Sequence, residues 1–168
     1  MKRRIAVTAA IATTAIALTG CAGQQGQTEA DGPPRLSGNA IWGQMQNADY
    51  SRNWAMWPGT QALYKGNEPH GMLLTTYVNQ PALDAIRNKA GTMPDGALVI
   101  KENYMPDGKL AAITVMYKAK NYNPSDGDWY WVKYGPDGGI EAEGKEPMCI
   151  ACHSAVKNND YLYTGPVR

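Results

Sequence analysis

Two cysteines and a histidine near the C-terminus, Cys149, Cys152 and His153, have the spacing of a haem attachment site. In a Cys-x-x-Cys-His pattern, each thiol can add across one vinyl group of a haem, and one helical turn reaches both vinyls. The histidine that follows can place its imidazole on the iron. Pro147 suits the first turn of a helix. The motif therefore predicts a short helix over residues 149–156, one covalent haem c and His153 as its axial ligand.

A zinc site and a redox dithiol are the alternatives for this motif. Structural zinc takes four ligands, whereas the sequence contains three cysteines and two histidines. Two of these, Cys21 and His70, have other interpretations below. A thioredoxin-like dithiol would be expected within a β-α-β pattern, which the sequence lacks. Haem attachment is therefore the favoured interpretation.

The N-terminus has the pattern of a bacterial export signal. Residues 1–4 are positively charged, and residues 5–18 are apolar but too short for a typical transmembrane helix. The stretch Leu18-Thr19-Gly20-Cys21 resembles a lipobox, whose cysteine becomes lipidated; the alternative is an ordinary signal peptide with an unrelated cysteine. We expect residues 1–20 to be a lipoprotein-type signal peptide. A lipid on Cys21 would anchor the protein on the periplasmic side of the inner or outer membrane.

Residues 21–38 are predicted to be a flexible tether, and residues 39–168 to be a haem domain. The tether is polar, rich in glycine and glutamine, and has no apolar period. About 130 residues are enough to bury one core. The chain has 16 basic and 15 acidic residues, a balance that argues against a nucleic-acid partner.

The central part of the chain has the composition of an antiparallel sheet. Pro106-Asp107-Gly108 between two apolar segments predicts a β-hairpin. Helices are predicted over residues 49–57 and 81–90. The expected fold class is α+β, a mainly antiparallel β-sheet of at least four strands with a few short helices and haem c packed against the sheet. The segments with strand composition are 71–79, 97–104, 110–117 and 129–134.

Several stretches together resemble the cytochrome P-460 family, which also contains the β-type cytochromes c′. They are Leu98-Val99-Ile100-Lys101-Glu102, Gly127-Asp128-Trp129, the Cys149–His153 motif, Asn159-Asp160 and Tyr163-Thr164. The resemblance extends over roughly residues 49–164. It implies a mostly antiparallel β fold with one five-coordinate haem c, and it predicts a homodimer.

Lys101 distinguishes the branches of this family. In the P-460 branch, a strand lysine that matches this position is bonded to the haem macrocycle, so the resemblance implies a contact between Lys101 and the haem and makes Lys101 a candidate for the cross-link. On a strand, Lys101 shares a face with Ala97 and Val99, and burial there would lower the pKa of its amine. The alternative is a surface lysine on a half-exposed strand, with Glu102 on the opposite face.

The distal pocket fits neither branch of the family fully. The resemblance implies a distal carboxylate in catalytic members, on the strand that here reads Ile113-Thr114-Val115-Met116-Tyr117. Thr114 stands near that position and is the candidate distal residue. Without a carboxylate there, the general base for hydroxylamine oxidation, which must release protons, is missing. The β-type cytochromes c′ often cap the iron with phenylalanine, and this sequence has none.

His70 is a candidate sixth ligand to the iron, although a histidine between proline and glycine is more typical of a loop. Met93, Met105 and Met116 are further candidates, but methionines on strands usually pack in a core. We therefore expect no side chain at the sixth position.

Three functions are consistent with these observations. The first is an enzyme that oxidises hydroxylamine or a related small nitrogen compound and passes electrons to a redox partner cytochrome. The second is a protein that binds or detoxifies nitric oxide, and the third is a six-coordinate electron carrier. An open iron with a cross-link favours the first, an open iron without one favours the second, and a second protein ligand favours the third.

Overall fold

The computed structural model describes residues 36–168, which form four α-helices and seven β-strands. The predicted signal peptide, Cys21 and residues 21–35 of the predicted tether lie outside the described residues. No helix in the described part is long and apolar enough to cross a membrane. The helices are α1 (Gly38–Asn47), α2 (Tyr50–Asn53), α3 (Gln80–Arg87) and α4 (Pro147–His153). The strands are β1 (Ala55–Met56), β2 (Tyr64–Lys65), β3 (Leu73–Val78), β4 (Leu98–Tyr104), β5 (Leu110–Lys118), β6 (Trp129–Tyr134) and β7 (Ile140–Gly144).

All seven strands belong to one antiparallel sheet. The order is β1-β3-β4-β5-β6-β7, and β2 also pairs with β3. The predicted hairpin is confirmed as β4–β5, and its turn is closed by a hydrogen bond from Met105 N to Lys109 O of 2.9 Å. The predicted α+β class is therefore confirmed, since the sheet is accompanied by only a few short helices.

The two faces of the sheet bury different cores. Side chains alternate along β4, so Leu98 and Ile100 point to one face and Val99 to the other. The first face packs against α1 through Ile41 and Met45, which are both buried. The second face packs against α3 and the C-terminal segment. Helix α4 also lies on this second side, where Cys149 and Ile150 pack against the core.

The predicted helix over residues 49–57 is wrong beyond Asn53. The chain becomes extended at Trp54, and Ala55 pairs with Val78 at the edge of the sheet. Trp57 N continues this pairing with a 2.8 Å hydrogen bond to Thr76 O. Long-range pairing with a sheet edge outweighs local helix preference here. Trp54 and Trp57 consequently pack in different cores instead of sharing a helix face.

Helix α1 and the strands β1, β2 and β7 were not predicted. Helix α1 contains two glycines and has a weak local signal, but Ser37 caps it by accepting a hydrogen bond from Ala40 N. Burial of Ile41 and Met45 against the sheet supplies the remaining stabilisation. Strand β7 reads Ile-Glu-Ala-Glu-Gly and is half-exposed along its length. Its composition does not favour a strand, so its pairing with β6 stabilises the extended conformation.

Candidate haem-binding site

Helix α4 carries the cysteine and histidine motif, as the sequence predicted. Pro147 occupies its first turn, where a missing N–H costs nothing. The α-helix ends at His153 and continues as a 3-10 helix, Ser154–Asn159, so the predicted helix over residues 149–156 changes type after the motif. Cys149 is half-buried, Cys152 is exposed and His153 is buried. The two thiols lie one turn apart, which suits attachment to neighbouring vinyl groups.

A cavity of about 510 Å³ lies between α4 and the second face of the sheet. This volume is within the range of small-molecule and cofactor sites, roughly 300–1,000 Å³. The cavity brings together five of the predicted site residues, although they come from distant parts of the chain. They are Lys101, Thr114, Cys149, Cys152 and His153. Much of the remaining wall is apolar and includes Val99, Ala112, Met116 and Leu162.

One hydrogen bond and two aromatic rings hold the side chain of His153 in place. Its Nδ1 lies 2.6 Å from the backbone oxygen of Tyr161. Because a carbonyl can only accept, Nδ1 carries the proton and Nε2 keeps its lone pair for a metal. The ring packs edge-on against Trp131 and Tyr163, with centroid distances of 4.7 and 5.2 Å. Burial lowers the pKa of His153, while the hydrogen bond to Tyr161 opposes this shift.

Trp131 provides a test of whether a cofactor fits this cavity. Its indole Nε1 is buried and has no hydrogen-bond partner among the described residues. A buried donor without a partner costs about 1–3 kcal/mol, so such groups usually meet a bound molecule or water. A haem has carboxylates that can accept this hydrogen bond. Two thiols, an imidazole with a free Nε2, apolar walls and this unpaired donor together fit a haem.

Lys101 projects into the same cavity from β4. Burial lowers the pKa of its amine to about 8, and the nearby Cys152 partly opposes this effect. Lys101 lines the cavity but is only partly buried. Glu102 lies on the opposite face, where its carboxylate accepts hydrogen bonds from Tyr50 at 2.8 Å and Tyr104 at 2.6 Å. The cross-link between Lys101 and the haem stays a prediction.

Thr114 lies directly across from Lys101 in the β4–β5 pairing and lines the cavity. Its hydroxyl is already engaged, since it accepts from Asn103 Nδ2 at 3.2 Å and donates to Lys101 O at 3.4 Å. A carboxylate does reach the cavity wall, but from Glu146 at the N-terminus of α4 and not from β5. Sequence reasoning missed Glu146 because it considered only the strand for the proton acceptor.

His70 also lines the cavity. Its ring centroid lies 6.1 Å from that of His153, with the two planes at 88°. Burial lowers the pKa of His70 to about 4, Lys101 adds to the shift, and the hydrogen bond to Asn103 opposes it. Among the methionine candidates, only Met116 lines the cavity, while Met93 is buried in the core and Met105 is exposed near the hairpin turn.

Asn103 determines which nitrogen of His70 is free. Its amide Nδ2 donates to Lys101 O, Ala112 O and Thr114 Oγ1 at 2.8–3.2 Å, so its Oδ1 must face His70. His70 Nδ1 lies 3.0 Å from that oxygen and therefore carries the proton. Nε2 of His70 keeps a lone pair, as Nε2 of His153 does. No local sequence pattern indicates Asn103, because its role depends on strand pairing.

Comparison with known protein families gave one match. A family model described as Cytochrome P460 matches residues 48–164. A search of curated proteins found no match.

Proposed function

Because the chain belongs to the cytochrome P-460 family, a family of haem proteins, we propose that it carries one haem c on Cys149 and Cys152. We further propose that this haem oxidises hydroxylamine or a related small nitrogen compound. The observation that carries the enzymatic proposal is Lys101, whose partly buried amine lies in the same cavity as Cys152 and His153. A buried lysine with a lowered pKa is costly for a fold and is typical of functional sites.

The cavity residues have distinct roles in this proposal. When bound, a haem supplies an iron centre that accepts electrons from the substrate and passes them on to a redox partner. His153 orients the site through its fixed Nε2, and the apolar wall of Val99, Ala112 and Met116 excludes water. Oxidation of hydroxylamine releases protons, and the carboxylate of Glu146 lines the same cavity as a candidate acceptor.

Lys101 is proposed to contact the haem edge and to bond to it. A bond between the amine and a ring carbon would release two protons and two electrons, so it would need an oxidant such as a peroxide. Since burial lowers the pKa of Lys101 to about 8, a useful fraction of the amine is neutral near neutral pH. A neutral amine has the lone pair that this bond requires.

The optical spectrum of the reduced holoprotein tests the proposal. A ring cross-link changes the conjugation of the porphyrin, so we expect red-shifted bands together with a high-spin ferrous iron. Hydroxylamine added to the ferric protein, with an excess of an artificial electron acceptor, should be oxidised in multiple turnovers. An ordinary haem c spectrum with nitric oxide binding but no turnover would instead support the nitric-oxide function.

A second candidate function, a six-coordinate electron carrier, is favoured by the position of His70. Two imidazoles on opposite sides of one metal, at about 2.0–2.1 Å per bond, would have ring centroids about 6 Å apart. The ring centroids of His70 and His153 are 6.1 Å apart. Both rings also have Nδ1 bonded to an oxygen acceptor. This arrangement contrasts with our expectation of an open sixth position, and the ferrous spin state separates the two.

We also propose that the protein is lipidated at Cys21, lies on the periplasmic side of a membrane and forms a homodimer. Conversion of Cys21 to serine should shift the protein from the membrane fraction to the soluble fraction, since one lost anchor residue removes all acyl chains. Fractionation followed by immunoblotting measures this change. A Ser37→Ala variant is the matched control, because it changes a hydroxyl at the N-cap of α1, away from Cys21, and should leave the distribution unchanged. Wild-type protein in the soluble fraction would contradict the lipid anchor.

A further inference from the structure

A buried ion pair lies at the edge of the core that the second face of the sheet buries. Lys118 Nζ is 2.6 Å from Asp160 Oδ1, and the two side chains are only 11% and 5% exposed. Lys118 also lies over the ring of Trp129, with its Nζ 4.5 Å from the ring centroid. The other ion pairs of the described residues are much more exposed. Burying two charges is costly, so the position of this pair needs a reason.

The ion pair fixes the turn that orients His153. Asp160 Oδ2 accepts a hydrogen bond from Met93 N at 2.7 Å, and the Asp160 carbonyl accepts one from Trp129 Nε1 at 2.9 Å. Asp160 and the following Tyr161 both have positive φ, at 52° and 65°. Two successive residues in this region are strained unless the surroundings hold them. The carbonyl of Tyr161, the next in the chain, accepts from His153 Nδ1.

We propose that Lys118 and Asp160 are positioning residues for the axial ligand, which act by fixing the Tyr161 carbonyl against His153. The inference rests on the proposed role of His153 as iron ligand. A strong hydrogen bond from Nδ1 makes an imidazole more basic, and a more basic ligand favours ferric over ferrous iron. The ion pair therefore holds the reduction potential of the haem low, in addition to stabilising the turn.

The test measures the midpoint potential of the full-length holoprotein in three variants. Lys118→Met keeps the length of the side chain but removes the charge, so the turn relaxes and the hydrogen bond to His153 weakens. At a fixed applied potential, we expect the ratio of ferrous to ferric protein to rise tenfold. This corresponds to a midpoint potential about 59 mV higher than that of the wild type. Lys118→Arg keeps the positive charge, so its midpoint potential should lie at least halfway back from the Lys118→Met value to the wild-type value. Lys109→Met removes the lysine of an exposed pair and should leave the potential unchanged.

A purely structural role predicts a different pattern. In that case Lys118→Met would lower the melting temperature and leave the potential at the wild-type value, which would overturn the inference. If Lys118→Met does not accumulate, Asp160→Asn replaces it, because the amide oxygen can still accept from Met93 N without the charge. An unchanged potential in Asp160→Asn would also overturn it.

The same measurements separate this inference from the proposed function. The potential is read whether or not the protein oxidises hydroxylamine, so absence of turnover leaves the inference standing. If His153→Ala has the same potential and iron coordination as the wild type, His153 is not the ligand. That result would overturn the haem ligation itself, and the role of the ion pair with it.

Discussion

Replacing Cys149 and Cys152 together with serine should abolish covalent haem attachment. Each thiol adds its sulfur to one vinyl carbon and its hydrogen to the other, so a hydroxyl of lower nucleophilicity cannot substitute. Cys149 is half-buried, and burial raises the pKa of its thiol, with Glu146 adding to the shift. Mass spectrometry of the denatured protein, expressed with a haem c assembly system, should show the haem mass on the wild type and its complete loss in the double variant.

The single variants refine this expectation. Cys149→Ser and Cys152→Ser each keep one thiol on α4, so each should retain part of the covalent haem through a single thioether. Cys21→Ser is the matched control among the cysteines, because its position is outside the haem motif, and it should keep the full haem load. Haem mass retained on the double variant, or lost in the Cys21 variant, would contradict the assignment of the motif.

Local sequence patterns predicted the strands β3 to β6 and the helix at the Cys149–His153 motif, because both depend on neighbouring residues. Strands β3 to β6 are rich in β-branched and aromatic residues, and the turn at Pro106-Asp107-Gly108 connects β4 and β5. The motif on α4 has fixed spacing. These features need no knowledge of the rest of the fold.

The parts that could not be predicted depend on pairing between distant segments. Helix α2 ends at Asn53 because the residues that follow pair with β3, about twenty positions later in the chain. His70 enters the site because Asn103, on another strand, holds its ring, and the amide of Asn103 is itself fixed by β5. Similarly, the link from Lys118 through Asp160 to His153 joins three separate segments. Single-residue propensities contain no information on such contacts.

Converting Lys101 to methionine should separate the enzymatic function from simple ligand binding. Methionine keeps the length and apolar stem of the side chain but removes the amine, so any red-shifted band of the reduced spectrum should disappear. We expect hydroxylamine turnover to fall on the order of 10²-fold, the lower end of the contribution of one positioned catalytic group. Binding of nitric oxide to the ferrous protein should persist, because binding requires only a free iron position.

Lys133→Met is the matched control for this variant. Lys133 lies on β6, where it pairs with Thr114 of β5. It lines the same cavity and is half-exposed beside Glu141. Its loss changes the charge near the cavity as much as the loss of Lys101 does, but it removes no buried amine. Turnover that falls equally in both variants would show that net charge, and not the Lys101 amine, supports the reaction.

His70→Ala completes the test, because it asks whether the iron has a second protein ligand. With an open sixth position, the ferrous wild type is high-spin and the variant keeps that spectrum. With His70 as ligand, the ferrous wild type is low-spin, and the variant becomes high-spin and gains nitric oxide binding. Asn103→Leu should give part of the same change, because it removes the oxygen that holds His70 Nδ1 at 3.0 Å. A low-spin wild type converted in this way would establish the electron carrier and contradict the oxidase.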